Sequence, residues 1–305
     1  MIIKKLALSN FRNYEKLDIS LSPGINIFYG NNAQGKTNIL ESIYLCSTTK
    51  SHRGSKDREM IRFGQDDSHI RMYVENDGVN HKIDMHLKKG SSKGVAIDML
   101  PIKRSGELLG MVNVVCFSPE DLLIIKSGPD KRRRFMDMEL CQLDKIYLHD
   151  ISSYNRVVNQ RNNLLKQIYS GMDDGGMLDI WDDQMIRYGT RVIERRKTFL
   201  SMLSEMTYPV HKSITGGKES LKIIYAPDVY ADDFAERLFK SRDRDIKMRT
   251  SQTGPHRDDY TFYTNDIDIR KYGSQGQQRS AALSLKLAEI NMIRSMTGNY
   301  PVLLL

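Results

Sequence analysis

The sequence predicts an α/β protein, a head of sheet and helix with a mainly helical lobe inserted into it. Three observations carry that reading. The apolar run Ile25, Ile27, Phe28, Tyr29 breaks on Gly30 and is followed by a helical stretch from Lys36, the order of strand, glycine-rich turn and helix. Apolar and polar residues then alternate between Ile61 and Val115, the period of a half-buried sheet. From Pro119 the apolar spacing widens to three and four, and alternation returns near Tyr260, so helices interrupt the sheet-rich part.

In chain order, Ile2 to Leu8 and Ile19 to Tyr29 read as strands, and Lys36 to about Cys46 as a helix. Ile70, Met72, Val74 and Ile83, Met85, Leu87 flank the turn signal Asn76-Asp77-Gly78, with another at Lys89-Gly90; this is an antiparallel sheet. Leu178, Trp181, Met185, Tyr188, Val192, Phe199, Leu203 and Met206 form a stripe at helical spacing, the core side of a helix bundle. The basic residues within it, Arg191, Arg195, Arg196 and Lys197, read as a solvated face, with DNA as the other reading. Tyr260, Phe262, Ile267 and Ile269 return to strand, a helix runs from about Gln277 to Ser295, and Pro301 to Leu305 reads as a buried strand. These elements divide the chain into residues 1–116, 117–244 and 245–305, the last being a return to the head.

Composition bounds the function. With 305 residues, 40% hydrophobic and 28% charged, the chain supports a large core. No stretch approaches the roughly 20 apolar residues of a membrane span, and the charges of MIIKKLALSNFRNYEK fall where a signal peptide has its apolar core; a cytoplasmic protein is expected. The 3 cysteines, Cys46, Cys116 and Cys141, are scattered and read as buried hydrophobes rather than as a disulfide framework or a zinc site. The 7 histidines show no ligand spacing. A net charge of +8 suits a polyanionic partner.

The residues that carry chemistry begin at GNNAQGKT, which matches the P-loop pattern G-x-x-x-x-G-K-[ST]. Gly30, Asn31, Asn32, Ala33, Gln34 and Gly35 supply a loop whose backbone N–H groups surround phosphate oxygens at the positive end of a new helix. Lys36 reaches the β- and γ-phosphates of ATP, and the Thr37 hydroxyl reaches Mg²⁺. Downstream, Ser274, Gly276 and Gln277 lie in a turn opening a helix; this is an anion-binding geometry or simply a capped helix end with Ser274 as the cap. Lys131, Arg132, Arg133 and Arg134 place consecutive positive charges on one helical turn, able to meet DNA phosphates or water. Arg53, just beyond the P-loop helix, is a further candidate for phosphate or DNA.

Several segments together are specific. FRNY (Phe11–Tyr14), GNNAQGKTNILESIY, KSHRGS (Lys50–Ser55), FSPEDL (Phe117–Leu122), GPDKRRRFMD (Gly128–Asp137) and TGPHRDD (Thr253–Asp259) resemble the RecF family along the whole chain, and Gly273-Ser274-Gln275-Gly276-Gln277 resembles the ABC signature Leu-Ser-Gly-Gly-Gln. The resemblance implies a P-loop NTPase of ABC-ATPase/SMC-head type with an inserted mainly helical lobe. It implies an ATP-dependent homodimer in which the signature of one copy closes on the γ-phosphate held by the other. It further implies binding to gapped or duplex DNA without sequence preference, and a role with RecR and RecO in placing RecA during repair, replication and the SOS response. The chain departs from the ABC pattern in having no glutamine in FSPEDL and in stopping at Leu305, before the acidic pair that supports Mg²⁺ and polarises water. A C-terminally truncated member is therefore expected, with weakened Mg²⁺-ATP binding and no meaningful turnover. Rival readings are the nucleotide-binding subunit of a transporter, which shares P-loop and signature, and a P-loop small-molecule kinase, which has no use for the signature.

Overall fold

A computed structural model describes residues 1–305, the side chain of Ser105 excepted. The chain divides into two compact units, Met1–Glu120 with Ile293–Leu305, and Asp121–Met292.

The first unit begins with β1 (Ile2–Phe11) and β2 (Tyr14–Ser20), then the P-loop helix α1 (Lys36–Thr48) and the single turn α2 (Asp57–Met60). β3 (Asp67–Asn76), β4 (Val79–Lys88), β5 (Gly94–Ile97) and β6 (Leu100–Pro101) extend the sheet, and β7 (Val114–Cys116) follows. The six-stranded sheet has the order β2-β1-β3-β4-β5-β6 and is antiparallel at every pairing. Period two puts Ile70, Met72 and Val74 of β3 and Ile83, Met85 and Leu87 of β4 on one buried face, where they meet Ile39, Ile43 and Cys46 of α1. A register shift between Ile3 and Lys5 turns Ile3 and Leu6, an odd number of residues apart, toward the same core. The β3–β4 hairpin closes through Asp77 at φ 50° and Gly78 at φ 80°, both in the left-handed region that a two-residue hairpin loop demands.

The strand expected to run through to Tyr29 does not form. β2 stops at Ser20, and Ile25, Ile27 and Tyr29 are 79% exposed or more. The side-chain oxygen of Asn26 accepts from Ser22 N at 2.9 Å, and its amide donates to Ser22 O at 2.8 Å, folding the segment back on itself. An apolar run of this kind signals a strand buried on both faces, but a strand exists only where a neighbour satisfies its backbone, and among the described residues none pairs with it.

The second unit holds α3 (Leu122–Lys126), α4 (Pro129–Leu143), α5 (Lys145–Tyr169) and α6 (Leu178–Ile214), then β8 (Leu221–Ala226), α7 (Phe234–Lys240) and α8 (Arg242–Met248). β9 (Asp259–Thr264), β10 (Ile267–Asp268) and α9 (Gln275–Thr297) follow, α9 running across the division, and β11 (Val302–Leu304) belongs to the first unit. β11 pairs in parallel with β7, Val302 opposite Val114. The expected return to the head near residue 245 comes at Ile293 in this division, because β9 pairs with β8, a strand the polar sequence around it concealed, in the antiparallel sheet β10-β9-β8. The long stripe is core as expected, with Leu178, Met185, Val192, Phe199 and Leu203 of α6 buried. Gly189 is required there, since a Cβ would sit 2.4 Å from the Phe234 ring and 2.9 Å from that of Tyr154.

Candidate functional site

The loop between the exposed segment and α1 is built from strained backbone. Gly30 at φ 145°, Ala33 at φ 65° and Gly35 at φ 97° curl the chain so that α1 opens at Lys36. Lys36 Nζ donates to Gly30 O and Asn31 O, both at 2.7 Å, which folds the loop over its own ammonium. Asn31, Asn32, Ala33, Gln34 and Thr37 are exposed, and the first turn of α1 holds no acid, so the positive helix end is uncompensated. The residues fit a nucleotide triphosphate with its divalent cation: a free helix end, an ammonium at its mouth and a hydroxyl in the first turn.

The β1–β2 turn walls the loop. Gly35 has no room for a side chain, because its Cβ would fall 2.6 Å from Asn13 Oδ1 and 2.9 Å from the Tyr14 ring. The same Asn13 Oδ1 accepts from Asn38 Nδ2 at 2.8 Å. Behind this stands Glu41, buried on α1, a residue to which the sequence alone assigned no role. It accepts from Arg12 Nε and Nη2 at 2.9 and 2.7 Å and from Ser51 Oγ at 2.6 Å. Burial pushes its carboxyl up, but the hydrogen bonds from Arg12 and Ser51 and the Arg12 charge outweigh this and hold it below the usual range. Arg12 also donates to Glu59 O and Ser55 Oγ. One carboxylate thus ties FRNY, the P-loop helix and KSHRGS together. Arg53 lies on the same side of α1, its Nη1 3.8 Å from Glu41 Oε2 and 3.5 Å from Asn38 Oδ1, with its side chain 41% exposed.

In the second unit Ser274 caps α9. Gln277 N donates to Ser274 Oγ at 3.2 Å while Ser274 N donates to Gln277 Oε1 at 2.9 Å, a reciprocal capping box. The Gln277 amide also donates to Glu219 Oε1 at 2.9 Å. Gly276 is exposed, and a Cβ on it would meet only Ser274 Oγ at 3.7 Å, so its glycine character leaves backbone open rather than relieving a clash.

The α4 cluster divides in two, a correction to its expected single role. Arg132 is 2% exposed and grips Asp259 with Nε and Nη2 at 2.6 and 2.8 Å. Arg133 donates to Asp258 O at 2.6 Å and pairs with Asp130. Successive helical residues are about 100° apart, so four in a row cannot all face solvent. Lys131 and Arg134, three apart, are the exposed pair. Arg196, expected on a solvated face, is buried and donates to Asp258 Oδ2 and Asp137 Oδ1, both at 2.8 Å.

TGPHRDD is likewise a structural lock. The Asp258 carboxylate also accepts from Tyr225 and from Asp228 N. His256 Nε2 donates to Ser251 O at 3.0 Å, so its Nδ1 accepts from the Tyr154 hydroxyl at 2.7 Å. Burial lowers this imidazole to about 4, and it is neutral at physiological pH. The 3 cysteines are buried, and among the described residues none is in a disulfide; burial pushes the Cys46 thiol up to about 12. Among the described residues no helix is long and apolar enough to cross a membrane.

Comparison with known proteins gives three kinds of match. A family model described as AAA domain matches residues 5–185. The DNA replication and repair protein RecF of Lachnoclostridium phytofermentans is 56% identical over 305 residues, spanning 100% of this chain and 85% of that protein, and RecF of Lachnospira eligens is 55% identical over 307 residues, again with 100% and 85% coverage. Among solved structures, that of the recombination mediator protein RecF with ATP in the RecFOR pathway superposes with a TM-score of 0.95 at 37% identity, covering 99% of this chain and 84% of that one. An SMC head bound to the C-terminal winged-helix domain of ScpA gives 0.51 at 16% identity, over 95% and 76% of the two chains, a likeness of fold.

Proposed function

This chain belongs to the RecF family of DNA replication and repair proteins, and on that premise we propose that it binds Mg²⁺-ATP at Gly30–Thr37 and uses it to join two copies on duplex or gapped DNA. The observation that carries the reading is the loop itself. A free helix end stands beside an ammonium that, among the described residues, donates to the loop's own Gly30 and Asn31 carbonyls and keeps its charge. When ATP binds, Lys36 exchanges the Gly30 and Asn31 carbonyls for phosphate oxygens, and the loop N–H groups take the remainder. Thr37 orients its hydroxyl toward the cation, which neutralises the phosphates when bound. Arg53, partly exposed beside Asn38, offers a second positive charge on the same side of α1.

Ser274 and Gly276 supply the second half of an ATP sandwich, each copy lending its signature turn to the nucleotide of the other. The capping box supports this by presenting the α9 N-terminus in one rigid conformation. DNA is held through its backbone by Lys131 and Arg134, and the dimer, in the cytoplasm, helps RecR and RecO place RecA.

The test is a calorimetric titration of ATP into the chain and into Lys36→Ala. Removing one charge-assisted hydrogen bond costs about 1.5–3 kcal/mol, at least a tenfold fall in affinity. Equal affinity in the two proteins would sink the assignment. Sedimentation with and without ATP, repeated on a Ser274 variant, separates this reading from a kinase, which is indifferent to that change.

A further inference from the structure

The outward face of α5 differs from that of α6, the helix packed beside it. Asn155, Arg156, Asn159, Gln160, Asn163 and Lys166 are exposed and, at about 100° per residue, fall within about 140° of arc. With Ser152 and Ser170 at its ends, the stripe is about 27 Å long at about 1.5 Å per residue. Between Ile151 and Tyr169 the sequence contains no Asp or Glu. Among the described residues, none of those six side chains has a hydrogen-bond or ion-pair partner. The comparison within the molecule is α6, whose exposed residues mix Asp183, Glu194 and Glu205 with Arg187, Arg191 and Lys197, the usual alternation of a solvated face.

The support beneath the stripe is rigid. Arg161, fully buried on the opposite side of α5, donates to Asp182 Oδ1 at 2.5 Å, Asp245 Oδ2 at 2.7 Å and Ser251 Oγ at 2.9 Å, fastening the helix to α6, α8 and the segment after α8. Cations border it on both sides. Toward its start, the Tyr188 ring stands edge-on to His149 with centroids 6.0 Å apart, and Arg187 lies over that ring at 5.8 Å. At its end the Arg249 guanidinium stacks on Tyr169 at 4.1 Å.

The geometry points to this α5 face as a docking surface for the phosphate backbone of duplex DNA, separate from the Lys131–Arg134 pair and resting on the reading that the protein binds duplex. Amide, hydroxyl and guanidinium donors are the groups that contact phosphate and sugar without reading bases. No carboxylate within the stripe repels the strand, and about 27 Å spans roughly eight base pairs at about 3.4 Å each. The face carries no exposed aromatic or large aliphatic anchor between Ile151 and Ile168, which a protein partner needs at the centre of its interface.

The experiment measures the affinity of the whole chain for a short labelled duplex across a salt series. Arg156→Ala combined with Lys166→Ala is expected to reduce the log–log salt slope by about 1.8, at about 0.9 for each phosphate left without its cation, with an unchanged melting temperature. Asn159→Asp with Asn163→Asp, which removes no cation, is expected to weaken binding at least tenfold by placing carboxylates against the strand. Lys88→Ala with Lys103→Ala, exposed in the first unit, should leave the slope alone. A slope unchanged in the α5 variants while the unaltered chain binds overturns this surface and leaves the DNA reading standing. Failure of the unaltered chain to bind duplex at any salt overturns both.

Discussion

At the scale of single residues, Glu41 and His256 show charge and neutrality fixed by surroundings. Glu41 is ionised because two guanidinium nitrogens and a hydroxyl face it. Its Ala replacement leaves the Arg12 guanidinium without a carboxylate and should cost about 3 kcal/mol, read as a lower urea midpoint; nucleotide affinity should fall with it, since Arg12 positions the turn that walls Gly35. Glu41→Gln tests whether charge or packing matters: a midpoint equal to the unaltered protein's would show that the carboxylate is dispensable. His256 is held neutral instead. With its folded value near 4 against an ordinary 6.5, the unfolded chain binds the extra proton between those values, so stability falls as pH drops from 6.5 to 4. The full effect is about 3 kcal/mol at about 1.36 kcal/mol per unit. His256→Gln keeps a donor for Ser251 O and should lose correspondingly less stability than the unaltered chain over that window, as measured by urea unfolding at its two ends.

At the scale of elements, α4 tests how a basic run should be read. Lys131→Glu with Arg134→Glu is expected to flatten the salt dependence of duplex binding without changing the melting temperature. Arg132→Glu should instead unfold the second unit, because it sets two carboxylates together in a buried site. Intact fold with reduced DNA affinity in the Arg132 variant would return that residue to the DNA surface. The segment from Ser22 to Tyr29 teaches the complementary lesson. Its composition is that of a buried strand, and Phe28 does pack on the core, yet Ile25 and Ile27 stay exposed. Hydrophobicity favours burial, but pairing is a property of the neighbour.

At the scale of the molecule, the two units have separate cores, one of sheet against α1 and one of α4–α6 with β8–β10. Ligand linkage therefore offers a global readout of the P-loop assignment. Mg²⁺-ATP at about 100 times its dissociation constant should stabilise the folded protein by about 2.7 kcal/mol, raising the melting temperature, and Lys36→Ala should show no shift at the same concentration. A shift of equal size in both proteins would place nucleotide binding elsewhere.

The sequence by itself determined the P-loop, the period of β3, β4 and α6, the β3–β4 turn and the cap at Ser274, since each is a local pattern of residue types whose physics acts within a few positions. The RecF family was legible for the same reason, its motifs being short and contiguous. What only the tertiary structure decided were relations between separate segments. Glu41 became the centre of the nucleotide-side lock because Arg12 and Ser51 arrive beside it from the chain before α1 and the chain after it. Arg132 and Arg196 left the surface because Asp259 and Asp258 were brought to them, from 127 and 62 residues away. The side chains of a basic run are alike in sequence, and the fold alone supplies the carboxylate that makes burying one of them cheaper than leaving it in water.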